Sequence, residues 1–258
     1  MGFFYAITSN QIPHFLTGLS NINLLNSHLN FKALIYSNWW KYAGAALVMY
    51  SIIGGLLFTN PNNLLFLDET VRNLNYHVPM WFAMMALLTV SVVNSIRYLR
   101  TFDSKYDTIA SKSAAVAVFF GLMGLATGSV WARFSWGDWW TADHKLNGAA
   151  IGVLMYLAYL ILRNSLEDPS KKARISAVYS IFAFPLFMVF ALILPKMAAN
   201  SMHPGSGDTV GFNKYPLNNN LRMTFYPAVA GWVAMGWWVT TILIRNAFIN
   251  QKLDDNEN

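Results

Sequence analysis

Long apolar segments without charge alternate with short polar segments along most of the chain. Six of the apolar segments have roughly 20 residues, the length that a helix needs to cross the hydrocarbon core of a bilayer. None of the six contains Asp, Glu, Lys or Arg. The pattern predicts an all-α, polytopic integral membrane protein with six transmembrane helices, at residues 42–59, 78–96, 113–130, 146–162, 175–194 and 226–243.

The segments that flank these spans define three regions. Residues 1–41 mix polar and apolar positions and end in Trp39-Trp40-Lys41, which predicts a cytoplasmic or interfacial N-terminal segment. Residues 42–248 form the membrane domain. Residues 249–258 are a polar cytoplasmic tail, predicted to be disordered from Asp254 onwards.

Two spans carry residues that affect their shape or packing. Pro185 lies within the fifth span and predicts a kink. Gly124 and Gly128 lie one turn apart on the third span. This spacing of small residues predicts close packing against a neighbouring helix.

The distribution of charge predicts the orientation. Twelve of the eighteen lysines and arginines fall on the side that holds both termini, so the positive-inside rule predicts cytoplasmic termini. With 55% hydrophobic and only 12% charged residues, the net charge of +6 reflects basic cytoplasmic loops. No basic stripe interleaved with aromatics indicates nucleic-acid binding, so membrane lipid is the expected surrounding and nucleic acid is not a partner.

This topology gathers three unusual segments on the exterior face. A Trp-rich loop, residues 131–148, places Trp131, Trp136, Trp139 and Trp140 between the third and fourth spans. One histidine motif, around His77, precedes the second span, and another, around His203, follows the fifth. Two imidazoles from different segments are able to hold a haem iron axially, and indole faces supply apolar contact for a porphyrin.

Other polar residues of this face are candidates to support such a ligand. Asp143 is predicted either to orient a histidine or the loop backbone, or to begin the fourth helix as an N-terminal acid. His144 is a further candidate ligand. The alternatives are that the tryptophans form only an interfacial belt and that the histidines are only solvated. Carboxylate groups of a ligand could be held by five bases, Arg72, Arg133, Lys145, Lys214 and Arg222.

Several classes of protein are excluded. The chain has no cysteine, so it forms no disulfide, no Cys-ligated zinc site and no c-type haem attachment. No nucleophile and base pattern, His-Glu-x-x-His motif or phosphate-binding loop is present, which predicts that the protein is not an enzyme. The spans hold no charge, which argues against a proton-coupled transporter.

The run from Trp136 to Leu146 resembles the "WWD" signature of the haem-handling proteins of cytochrome c biogenesis. The segments Tyr76-His77-Val78-Pro79 and Asn200-Ser201-Met202-His203 resemble the two exterior histidine motifs of that family. Six spans and this length are similar to its smallest branch, the haem exporter protein C family of the cytochrome c maturation system. Ala142 replaces the family's usual tryptophan before the aspartate, and Lys145 replaces its usual arginine.

The resemblance implies a bacterial inner-membrane protein that binds haem b at the periplasmic face. His77 and His203 would be the axial ligands of the iron. The haem would pass to a periplasmic haem chaperone, with ABC-type transporter subunits and a small single-span helper as partners. The haem-contacting residues would include Trp131, Arg133, Trp136, Trp139, Trp140, Asp143 and Lys145.

Three alternatives remain at this point. A b-type membrane cytochrome subunit in quinone-linked electron transfer usually holds its histidines in mid-span, and none of the six spans contains one. The larger haem lyases of the same superfamily have more spans and intramembrane histidines. A structural membrane scaffold would bind no haem at all.

Overall fold

The computed structural model describes residues 38–57, 68–197, 201, 203 and 219–257. All regular secondary structure in these ranges is helical, and six helices are long and apolar enough to cross a membrane, which confirms the predicted fold class. A 3₁₀ helix, Asp68–Asn75, precedes α2, and a π-helical turn, Val189–Ile193, joins α5 to α6. The helices are α1 (Trp39–Leu57), α2 (His77–Thr101), α3 (Ser104–Trp136), α4 (His144–Ser165), α5 (Pro169–Met188), α6 (Leu194–Met197) and α7 (Asn219–Glu257).

From α2 onwards, the helices extend past the apolar segments that predicted them. Their polar ends are capped: Asp103 accepts a hydrogen bond from the backbone N–H of Lys105 at 3.0 Å, and Asp168 accepts one from Lys171 at 2.8 Å. The prediction that residues after Asp254 are disordered is wrong for the described part, because α7 continues to Glu257. The predicted N-terminal segment lies outside the described residues as far as residue 37.

The core of the membrane domain forms around α2, which packs against α3, α5 and α7. Met84 and Leu88 of α2 are fully buried, together with Phe120 of α3, Val153 of α4 and Phe187 of α5. Four helices thus meet in one apolar cluster. This cluster lies inside the bundle, next to the end at which α2 and α4 begin and α3 ends.

Small polar residues form the seam between α2 and α5, which run antiparallel. Ser91 and Ser180 are buried, and their Oγ atoms lie 3.3 Å apart. Ser95, one turn after Ser91, and Ser176, one turn before Ser180, are also buried. Small residues at this spacing allow two transmembrane helices to approach closely, with hydroxyl contacts between them.

The fifth span departs from regular α-helix after Pro185, as the sequence predicts. Proline lacks the N–H of a regular helical hydrogen bond, and the helix becomes π-helical from Val189 to Ile193. The Phe190 carbonyl there approaches α4 so closely that a Cβ at Gly148 would lie 2.2 Å from its oxygen. Glycine at position 148 therefore allows α4 to pack against this turn.

An ion pair joins α3 to α4 at the opposite end of the bundle. Both guanidinium nitrogens of Arg163 donate to the Asp107 carboxylate, at 2.7 and 2.6 Å. The two side chains are largely buried, at 15% and 16% exposed. Parallel hydrogen bonds of this kind fix the orientation of both partners.

Candidate functional site

The two predicted histidines line one cavity, of about 270 Å³, at the end of the bundle where α2 begins. Its walls come from α2, α3, α4 and the α5–α6 segment, together with His203. Trp81, Phe82 and Leu125 line the apolar part of the cavity. Lys145 and Lys196 add charged side chains to its wall. The cavity thus combines two imidazoles, aromatic surface and cationic groups.

His77 is the first residue of α2, and two residues of α3 hold its ring. Its Nδ1 lies 3.1 Å from the Thr127 hydroxyl oxygen. A Cβ at Gly128 would lie 2.7 Å from the ring's Cε1, and one at Gly124 would lie 2.8 Å from Trp81. The glycine pair therefore allows close packing, as predicted. The space that it leaves is occupied by the His77 and Trp81 side chains of α2.

His203 lies against the end of α3, where it joins two of the predicted tryptophans. Its ring centroid is 5.5 Å from that of Trp131 and 6.0 Å from that of Trp136. The two indoles contact each other edge to face at 4.8 Å. Gly137, with a φ of 88°, ends α3 in a left-handed conformation that a glycine adopts readily.

Asp143 performs both of the roles that the sequence leaves open. Its Oδ1 accepts hydrogen bonds from the backbone N–H groups of Lys145, at 2.8 Å, and Leu146, at 3.4 Å, and so caps α4. Its Oδ2 accepts the Ser201 hydroxyl at 2.7 Å, and the Ser201 oxygen accepts the backbone N–H of His203 at 3.2 Å. The carboxylate thereby connects the start of α4 to the backbone at His203.

The ionisation of Asp143 follows from these contacts. Burial acts to raise the pKa of the Asp143 carboxyl. The hydrogen bonds from Ser201 and the backbone, with the nearby His203, outweigh burial and bring the pKa below its ordinary value. The group is therefore a carboxylate at neutral pH, as an acceptor of three hydrogen bonds requires.

The structure does not bring all four tryptophans together. Trp140 lines the cavity, and its indole N–H donates to Asn147 Oδ1 at 3.1 Å. Trp139 is 58% exposed and is absent from the cavity wall, although its backbone carbonyl accepts the Ser129 hydroxyl at 2.8 Å. The predicted tryptophan platform thus divides into the Trp131–Trp136 pair, Trp140 and an outlying Trp139.

The five predicted bases are also separated. Among the four that the structure describes, Lys145 alone lines the cavity. Arg133 is exposed and donates to the Gly137 carbonyl, whereas Arg72 donates to the Gly55 and Leu56 carbonyls at the end of α1. Arg222 is exposed on α7, and Lys214 lies outside the described residues.

The site contains residues that sequence reasoning missed. Thr127, Trp81, Lys196 and Ser201 contact the histidines or the cavity, and none was singled out. The signal for Lys196 is its position as a base two residues beyond the predicted end of the fifth span. The exposed His144, by contrast, begins α4 and does not line the cavity.

The chain is similar to known proteins over most of its length. The chain matches the family described as Heme exporter protein C over residues 23–257. It is 27% identical to the Heme exporter protein C of Paracoccus denitrificans over 210 residues, 80% of this chain and 83% of that protein.

Two further relatives match over shorter segments. The chain is 33% identical to the Heme exporter protein C of Bradyrhizobium diazoefficiens over 112 residues, 43% of each chain. It is 30% identical to the cytochrome c biogenesis protein CcsA of Prochlorococcus marinus over 139 residues, 54% of this chain and 42% of that protein. The matches thus span less than half the length of these two relatives. Because the family match covers nearly the whole chain and every residue of the site, the protein belongs to the heme exporter protein C family.

Proposed function

We propose that the protein binds haem in this cavity at the periplasmic face of the bacterial inner membrane and passes it to a periplasmic haem chaperone. Its family and its relatives support a role in haem handling for cytochrome c biogenesis. The observation that carries the proposal is that His77 and His203, distant in sequence, line the same aromatic cavity.

The residues of the cavity fit a haem. The two imidazoles are suited to the axial positions of the iron, whose chemistry is supplied by the porphyrin complex itself. Trp81, Trp131 and Trp140 provide ring faces for a flat apolar ligand. The contact of His203 with Trp131 and Trp136 holds its imidazole beside these faces.

Lys145 and Lys196 are placed to bind the propionate groups of the haem. Both lysines line the cavity, and haem carries two propionates that favour cationic partners. Asp143 supports this arrangement, since it caps the helix that begins beside Lys145. The carboxylates of haem b would therefore lie towards α4 and α6.

The proposed direction of transfer follows from orientation, and the proposed partners are those that the family resemblance implies. The base asymmetry of the loops favours cytoplasmic termini, and this orientation turns the cavity towards the periplasm. We infer that the protein acts as a binding and handover factor rather than an enzyme. ABC-type transporter subunits and a small single-span helper would be its membrane partners.

Quinone-linked electron transfer by a b-type cytochrome has less support. His77 begins α2, and His203 lies beyond the end of α6, so both histidines are at one end of the bundle. An electron-transfer haem is usually enclosed between helices. A ligand that must be released is better served by a cavity near the end of the bundle.

Haem titration of the purified protein tests the proposal. The wild-type protein should give a six-coordinate, low-spin spectrum, and His77→Ala or His203→Ala should give a five-coordinate or weakly held haem that added imidazole partly restores. The double variant should bind no haem and transfer none to the chaperone. His144→Ala is the matched control, since that histidine is exposed at the same end of the bundle. An unchanged spectrum in the double variant would exclude both ligands.

A further inference from the structure

We propose that Thr127 is a positioning residue for His77, one that keeps the hydrogen of the imidazole on Nδ1 and leaves the Nε2 lone pair for iron. This inference rests on the proposed role of His77 as a haem ligand. Thr127 belongs to α3, whereas His77 is the first residue of the neighbouring helix α2.

The direction of the hydrogen bond follows from counting hydrogens. The Thr127 hydroxyl oxygen lies 2.8 Å from the Met123 carbonyl oxygen and 3.2 Å from that of Gly124. Carbonyl oxygens only accept hydrogen bonds, so the single hydroxyl hydrogen points to the backbone of α3. We therefore infer that the Thr127 oxygen is the acceptor in its 3.1 Å contact with His77 and that Nδ1 carries the hydrogen.

The surroundings of the ring restrict its rotation away from this contact. Gly128, the next residue, leaves only enough space for the imidazole, because a Cβ there would lie 2.7 Å from Cε1. Trp81, one turn along α2, meets the ring edge to face, with centroids 6.2 Å apart and planes at 79°. The Asn73 amide also donates to the Thr127 carbonyl at 3.4 Å, which joins the segment before His77 to the same turn of α3.

This arrangement has a chemical consequence for a metal ligand. A neutral imidazole binds metal through the nitrogen that lacks hydrogen, and a hydrogen bond at the other nitrogen fixes the tautomer and raises the basicity of the ligand. Loss of such a partner typically lowers metal affinity by about 10- to 100-fold. Thr127 thus prepares Nε2 of His77 before any ligand enters the cavity.

The test compares Thr127→Val, which keeps the shape and removes the hydroxyl, with Thr127→Ser, which keeps the hydroxyl. Thr89→Val is the matched control, because the Thr89 hydroxyl makes the same 2.8 Å bond to the backbone of its own helix and is exposed. The first measurement is ¹⁵N NMR of histidine-labelled, haem-free protein in detergent, with His77→Ala identifying the signal. Haem titration of each variant is the second.

We expect hydrogen on Nδ1 of His77 in the wild type, in Thr127→Ser and in Thr89→Val, and a shift towards the Nε2–H tautomer in Thr127→Val. Haem affinity should fall about tenfold in Thr127→Val alone. Hydrogen on Nε2 in the wild-type protein would overturn the inference, as would unchanged affinity and tautomer in Thr127→Val. The expected tautomers together with an unaltered haem spectrum in His77→Ala would reject the ligand role instead, so the two failures are distinguishable.

Discussion

The Ser201 hydroxyl donates to Asp143 Oδ2 at 2.7 Å, and this contact joins the first turn of α4 to the segment that carries His203. The Ser201 oxygen also accepts the backbone N–H of His203, at 3.2 Å. Because the other oxygen of Asp143 caps α4, one carboxylate positions both a helix and a candidate ligand. The aspartate of the Trp-rich signature thus acts on the candidate site through another residue.

Ser201→Ala should lower haem affinity by roughly tenfold and leave the protein folded, because it removes the contact that positions His203 and not the cap of α4. Haem titration and thermal unfolding in detergent measure the two effects. Ser170→Ala is the matched control, since the Ser170 hydroxyl donates to Asp168 at 2.8 Å at the start of α5. Equal haem affinity in the two variants would show that the Ser201 contact does not position His203.

The separation of the tryptophans predicts different effects for two adjacent residues. Trp140→Ala should cost at least tenfold in haem retention, because its ring is part of the cavity wall. Trp139→Ala should retain haem within about twofold, because that side chain is 58% exposed and lies off the cavity. Retention of haem after size-exclusion chromatography measures both. If Trp139→Ala loses haem and Trp140→Ala does not, the cavity is not the haem site.

The two cavity lysines should recognise the carboxylates of the ligand. Lys145→Gln and Lys196→Gln should each weaken haem binding by several-fold, about 1 kcal/mol or more for a charge-assisted hydrogen bond. Neither change should affect binding of haem dimethyl ester, whose carboxylates are blocked. Arg133→Gln is the control, because Arg133 is exposed and bonds to the Gly137 carbonyl. Equal losses for haem and its ester would assign the lysines a role in packing.

Orientation in the membrane is testable because the chain has no cysteine of its own. Cysteine at position 138 in the Trp-rich loop should react with an impermeant thiol reagent on intact cells, and cysteine at position 170 should react only after lysis. Asp138 and Ser170 are both exposed, whereas the Ser135 hydroxyl is buried and makes a poor labelling position. The reverse labelling pattern would place the cavity in the cytoplasm.

The sequence predicts the helices, and it predicts that the two histidines lie at helix ends, because both depend on local features. An apolar segment of roughly 20 residues must be helical in a bilayer, and residues next to such segments must lie at its surface. Helix ends are less predictable, because caps such as Asp103 and Asp168 extend a helix into polar sequence. The last helix, α7, likewise continues into polar sequence, as far as Glu257.

The contacts within the site could not be predicted in this way. Arg133 lies in the last turn of α3 and Lys145 in the first turn of α4, where successive residues point about 100° apart, so the sequence alone does not show which of them reaches the cavity. Lys145 does so and Arg133 does not. The contact between Thr127 and His77 depends on how α2 packs against α3, which only the three-dimensional structure shows.

The serine seam between α2 and α5 contributes to the register of the two helices that lead to the candidate ligands. His77 begins α2, and the segment with His203 follows from α5, so a slip of one turn along the seam would displace one imidazole from the other by about 5.4 Å. A haem held by both imidazoles, as proposed, would not tolerate such a displacement, because both ring nitrogens must reach the same iron. The contact between the Ser91 and Ser180 hydroxyls would therefore help to hold the two imidazoles at matching positions, although both serines are buried in the helix seam.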